Sequence, residues 1–184
     1  MTTTDRAGAV RDAIVTVVAD RGLEATTMAA VAAAAGVATG TAYVHYPSKD
    51  ELLIGGYVHV KQELGRAAVD ELTEQMTPRE RFDSIWQLAQ RHLAEHPERA
   101  RFLVQFEHSS LATAAHERMV DSGDDPLTAA TGDLLGEFVD LPPTVLYDLA
   151  LGPMVRLVAL GQPMSDHDLH QLRDACWRAV ARPT

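Results

Sequence analysis

The chain has 184 residues, a single cysteine and a formal net charge of −10, with 26 acidic against 16 basic side chains. That length builds one compact domain, or a small module fused to a larger helical body; the lone Cys176 excludes an internal disulfide framework and a thiolate cage for a metal. The acidic balance excludes a broadly basic surface that steers toward DNA, and no run approaches the roughly 20 apolar residues that span a bilayer, so a cytoplasmic protein with no secretion signal and no membrane partner is expected.

Helix punctuation recurs along the chain, with no sustained strand alternation and no internal repeat, so the expected fold is all-α with about nine helices. Val10, Ile14, Val17 and Val18 stand at helical spacing and predict a first helix from Asp5 to Asp20, stopped at Arg21-Gly22. Thr26 or Thr27 caps a short helix whose inner face is Met28, Val31, Ala32 and Ala35, ending at Gly36. A second short helix follows through Tyr43. The turn between them, Ala35-Gly36-Val37, has helix-turn-helix spacing, and its glycine admits a left-handed conformation. Thr39-Gly40-Thr41 then puts short or absent side chains at the start of the second helix, which lets it sink into a major groove, with Tyr43, His45 and Lys49 as phosphate-seeking groups around its end. Taken singly, Tyr43 and Tyr46 equally fit core packing, Lys49 an ordinary surface lysine, and Thr39 and Thr41 ordinary helix-start residues.

Ser48-x-x-Glu51 reads as a capping box that opens a long helix carrying Leu53, Tyr57, Val60 and Leu64 and reaching toward Met76. Thr77-Pro78-Arg79-Glu80 repeats the signature ahead of Phe82, Ile85, Trp86, Ala89 and Leu93, and His96-Pro97 ends that helix. Phe102, Leu103 and Phe106 mark the next, broken near Ser109-Ser110 and resuming to Val120, and Asp124-Asp125-Pro126 starts another that carries Leu127, Leu134, Leu135 and Phe138. Two last helices, 143–160 and 166–181, have wide apolar faces that either close the core or pair with a second copy. Pro153 inside the first of them predicts a kink.

Taken together, Gly22-Leu23, Thr26-Thr27, Ala35-Gly36-Val37, Gly40-Thr41-Ala42-Tyr43, His45-Tyr46 and Ser48-Lys49-Asp50-Glu51-Leu52 resemble the DNA-binding signature of the TetR family over residues 10 to 53. The resemblance implies a three-helix DNA-binding domain at 1–47 and a helical ligand-binding and dimerisation domain at 48–184, with 48–76 as the linking helix. It implies operator DNA, a small-molecule effector and a second copy as partners, the homodimer formed through helices 143–160 and 166–181. It implies a phosphate contact for Thr27, a base-facing role for Thr39, Gly40, Thr41 and Val44, and DNA-backbone contacts for Tyr43, His45 and Lys49. Three positions depart from the usual pattern: Ala38 stands where a capping serine is common, Ala42 where a larger apolar residue is usual, and Tyr46 where phenylalanine is usual. The missing cap costs roughly 1 kcal/mol of local helix stability.

On helices that the family folds around its cavity, Phe82, Trp86, Leu103, Phe106, Met119, Tyr147 and Met154 are the candidate effector-pocket residues, with Glu107, His108 or Arg156 to orient a polar group. The expected effector is therefore mainly apolar or aromatic. The resulting expectation is a ligand-responsive repressor with no catalytic residue, no metal and no cofactor. Two rival classes stand beside it. His92 with His96, or His167 with His170, share helix faces as metal ligands in a helical enzyme do, though no HExxH pattern accompanies them. The acidic N-terminal segment, at −2 over residues 1–60, also fits an interaction protein that keeps the fold without binding DNA.

Overall fold

A computed structural model describes residues 3–123 and 125–183; Met1, Thr2, Thr184 and Asp124, the last of which the sequence reading placed at a helix start, lie outside them. The described chain is helical: α1 (Thr3–Arg21), α2 (Met28–Ala34), α3 (Thr39–His45), α4 (Lys49–Val69), α5 (Pro78–Glu95), α6 (Pro97–Glu107), α7 (Ala112–Ser122), α8 (Pro126–Thr131), α9 (Pro143–Ala150), α10 (Gly152–Ala159) and α11 (Asp166–Val180). Among the described residues there is no β-strand, only an isolated bridge between Phe138 and Ala181. No single helix is long and apolar enough to cross a membrane.

The chain forms two compact units, Met1–Lys61 with Glu98–Asp124, and Gln62–Pro97 with Asp125–Thr184. In the first unit the apolar stripes of α1, α2, α4 and α6 come together in one core. Val10, Ile14 and Val18, Val31, Leu52, Leu53 and Tyr57, and Phe102 and Phe106 are all fully buried, each such side chain being worth about 1.5–3 kcal/mol. Helices α1, α4 and α6 approach closely because Gly56 has no side chain: a Cβ there would lie 2.8 Å from Ile14 Cγ2 and 3.4 Å from Phe102 Cζ.

In the second unit α5 leads with a complete capping box. Thr77 Oγ1 accepts the Glu80 N–H, Glu80 Oε2 accepts the Thr77 N–H at 2.9 Å, and Pro78 sits in the first turn. The α5 face of Phe82, Trp86, Ala89 and Leu93 is buried, and Phe82 packs against Trp177 of α11 with ring centroids 5.2 Å apart. Arg79 bonds Asp83 and Asp174, and Arg173 pairs with Asp83 at 3.0 Å, so the polar edges of α5 and α11 are tied as well.

Three helix boundaries differ from the expectation. The linking helix stops at Val69 rather than near Met76. The segment after Asp125 is α-helical only to Thr131 and continues as a 3₁₀ helix over Gly132–Glu137, where two glycines weaken the wider helix. The 143–160 helix is two helices, α9 and α10, broken at Leu151, because Pro153 supplies no N–H to the preceding turn.

Candidate functional site

The N-terminal unit assembles its most exposed feature from local signals. Gly22, at φ 87°, ends α1 with its N–H on Val18 O at 2.9 Å, and the buried Thr26 hydroxyl donates to Gly22 O at 2.8 Å. Thr27 is the cap of α2: its hydroxyl oxygen accepts the Ala30 N–H at 3.2 Å. Gly36, at φ 67°, reverses the chain, and the Val37 N–H closes the turn on Ala32 O at 2.9 Å. The two short helices so joined cross at 103°, within the roughly 90–120° of a helix-turn-helix. Helix α3 begins at Ala38 with no side-chain cap, which leaves its first N–H groups for solvent or for an anion.

The side chains of α3 divide by face. Ala42 is fully buried, so the small residue lets α3 lie close on its neighbours in the unit. Thr39 and Gly40 are exposed, Tyr43 is 51% exposed and Val44 79% exposed, all on one face by helical period. Thr41 and His45 are half-buried, and Thr27 is exposed at the start of α2. Among the described residues, nothing beyond its chain neighbours and its own helix backbone lies within 4 Å of where a Cβ of Gly40 would stand. Tyr46 turns the other way: its ring lies 3.0 Å from where a Cβ of Gly55 on α4 would be, and burial raises its phenol pKa. The ring packing is one that phenylalanine also provides, and nothing in the structure explains the hydroxyl at this position.

Lys49 is half-buried at the start of α4, and its ammonium donates to Leu23 O at 2.9 Å and Glu24 O at 3.3 Å. It ties α4 to the loop after α1; an ammonium has three donors, so one N–H remains for an outside acceptor. The expected capping box at Ser48 is half formed. Ser48 Oγ accepts the Glu51 N–H at 3.1 Å, but the Glu51 carboxylate turns to Arg118 of α7 in a two-pronged pair at 3.0 and 3.1 Å. That pair holds the Glu51 carboxyl below its ordinary pKa. Six residues further along α4, the buried Tyr57 hydroxyl donates to Glu107 of α6 and lies 2.8 Å from His116 Nε2 of α7, while His116 and Glu107 are 3.2 Å apart. Tyr57 also stacks on Phe106 at 4.5 Å. Sequence reasoning missed both connections, since partners 50 to 67 residues apart leave no spacing signal.

The seven pocket candidates fall in both compact units. Leu103, Phe106 and Met119 are buried in the first; Phe82, Trp86 and Met154 are buried and Tyr147 half-buried in the second. Trp86 lies beside Cys176, whose thiol pKa is raised by burial and partly offset by the indole. Met154 lines a cleft of about 310 Å³. Glu107 belongs to the Tyr57 cluster, His108 Nδ1 is 2.7 Å from Val104 O on its own helix, and Arg156 is exposed. The His92 and His96 rings are 5.1 Å apart, and His167 and His170 are exposed. Among the described residues, no three His, Cys, Asp or Glu side chains converge as a metal site does.

Comparison with known proteins matches residues 10–55 to the family described as bacterial regulatory proteins, tetR family, and residues 78–181 to the tetracyclin repressor-like C-terminal domain. A TetR family transcription regulator from Marinobacter aquaeolei VT8 is similar at 25% identity and a TM-score of 0.74, covering 98% of this chain and 97% of its own. A TetR-family transcriptional regulator from Haemophilus influenzae RD shares 23% identity with a TM-score of 0.76 over 97% and 98% of the two chains. A third, from Shewanella sp. PV-4, shares 20% identity and the same TM-score over 97% and 99%, which shows the same fold.

Proposed function

The chain belongs to the tetR family of bacterial regulatory proteins, and from that premise we propose that it is a repressor whose homodimer leaves its operator when a small, mainly apolar effector binds. Its DNA-binding helix-turn-helix occupies residues 1–47, and residues 48–184 serve ligand binding and dimerisation, with the helix from 48 as the link. The observation that carries the DNA step is the open face of α3, where an apolar Val44 stands 79% exposed beside Thr39, Gly40 and Tyr43. An apolar group beside short polar ones on an open helix face suits contact with thymine methyls and base edges in a groove. In a major groove, Val44 meets thymine methyls, Thr39 and Thr41 meet base edges, and Tyr43, His45, Thr27 and the spare N–H of Lys49 meet phosphates.

Dimerisation through the last helices is supported by how the apolar residues there divide. Leu146, Val155, Cys176 and Val180 turn inward and are buried, whereas Val145 and Leu149 of α9, with Leu141 just before α9 and Leu160 just after α10, remain 36–57% exposed. To bind successive major grooves, a two-fold pair has to present its two copies of α3 about 34–36 Å apart. The effector then acts by changing that separation, and the seven candidates, six aromatic or methionine side chains and Leu103, are the residues among which it is sought. A protein acting inside the cytoplasm is consistent with each of these roles.

Fluorescence anisotropy with promoter DNA from the neighbouring genes, across a salt series, tests the reading. Because few cations flank α3, the slope of log K against log salt is expected to be shallow, about −2 to −4, as for two to four phosphate contacts in the dimer. Val44→Ala and Tyr43→Phe each weaken the operator complex. Absence of any operator-specific complex at low salt overturns the proposal.

A further inference from the structure

The cleft of about 310 Å³ lies wholly within the second unit and is put to no use by DNA binding. Its walls are the α10 side chains Met154, Leu157 and Val158 and the α11 side chains Leu169 and Leu172, with Met164 from the connecting loop. Gly161, at φ 62°, ends α10 and lets that loop turn back across the opening. Leu157, Val158, Met164, Leu169 and Leu172 are each half-buried. Five apolar side chains are thus gathered, partly wetted, around one hollow, which differs from single apolar residues scattered on a surface.

We propose that this cleft is a binding site for a neutral, amphipathic small molecule of roughly 10 to 17 non-hydrogen atoms, a size that suits a pocket at the lower end of the ligand-site range. Its apolar body lies along α10 and α11, and its polar head meets the carboxamides of Gln90, on α5, and Gln162, in the loop. The neutrality follows from the lining: among the described residues that form it, no side chain ionises. A carboxylate or ammonium head would shed water there without a counter-charge. Each carboxamide offers both a donor and an acceptor, which matches an alcohol, amide or lactone group. Met154 and Met164, unbranched and polarisable, adapt to rings or chains alike. The site shares only Met154 with the seven candidates named from the sequence, and its occupancy is a property of the free protein, independent of whether the chain represses.

The experiment uses the full chain and the neutral dye N-phenyl-1-naphthylamine, displaced by 1-decanol or by decanoate. Saturable binding of one dye per chain is expected, with decanoate displacing it at least about tenfold less well than 1-decanol, the cost of an unpaired charge. Ala94→Trp, at an exposed position on the rim, fills the opening and weakens dye binding at least about tenfold, while its thermal melt reports that the fold is kept. Gln162→Lys, in the exposed loop, introduces a cation beside the polar head and is expected to narrow or reverse the preference for 1-decanol over decanoate. The proposal is overturned by absence of dye binding, by equal displacement by the two competitors, or by Ala94→Trp binding the dye as the unmodified chain does. Loss of dye binding as protein concentration rises also overturns it, since the cleft is then covered by a second copy.

Discussion

Gly40→Ala separates a residue kept for the fold from one kept for a partner. Gly40 lies in the first turn of α3, is exposed, and has a negative-φ conformation that alanine adopts freely. A Cβ added there meets nothing within 4 Å. For the free protein the methyl group therefore removes only backbone freedom from the unfolded chain and improves helix propensity, a gain of about 0.5–1 kcal/mol. In a chain of this size that raises Tm by about 1–4 °C. On DNA the sign reverses. If α3 lies in the groove with Gly40 against the base edges, the methyl occupies space the DNA must take, at a cost comparable to a mismatched base pair, about 1–3 kcal/mol per half-site. A dimer meets the clash twice, so operator affinity is expected to fall by about 30-fold or more. Thermal melts and anisotropy titrations on one preparation read both effects. A variant with the raised Tm and unchanged operator affinity refutes the placement of Gly40 at the DNA.

Gly56→Ala is the converse, because its Cβ would stand 2.8 Å from Ile14 Cγ2; overpacking there is expected to cost about 1–3 kcal/mol in urea melts, and a melt like that of the unmodified chain contradicts the close packing of α1 on α4. Tyr57→Phe keeps the stack on Phe106 but removes the hydroxyl that serves both Glu107 and His116, with an expected loss of about 1–3 kcal/mol. Phe106→Ala, measured alongside, reports the packing part separately. The Arg118 bridge carries a pH signature. Arg118 depresses the Glu51 pKa in the folded chain, so the bridge contributes fully above the ordinary carboxylate pKa of about 4.3 and is lost as pH falls through the lower folded value. Both side chains are more than 40% exposed, which limits the contribution to about 1 kcal/mol or less. Arg118→Ala is expected to cost that much at neutral pH and nothing once the carboxylate is protonated; an equal cost at both pH values shows that Arg118 acts by packing.

The helix-turn-helix was legible because its determinants lie within one or two turns of each other. Thr27 caps α2 by reaching three residues ahead, Gly36 reverses the chain by its own φ, and the short side chains at Thr39-Gly40-Thr41 need no distant partner to stand clear. The Thr77–Glu80 box formed in full for the same reason. The identical pattern at Ser48–Glu51 formed only in part, because a guanidinium 67 residues away competes for the Glu51 carboxylate with two hydrogen bonds where the local N–H offers one. The apolar faces of the last two helices were likewise visible, but their pattern could not assign Leu146 and Val155 to the interior and Val145 and Leu149 to the surface. Nor could it separate Leu103, Phe106 and Met119 from Phe82, Trp86 and Met154, which lie in different compact units. Periodicity and caps are properties of a few successive residues and are written in their order. Which polar group outbids the local one, which half of an apolar stripe meets a neighbour, and where a cleft opens depend on segments distant in sequence arriving together, and only the tertiary structure decides them.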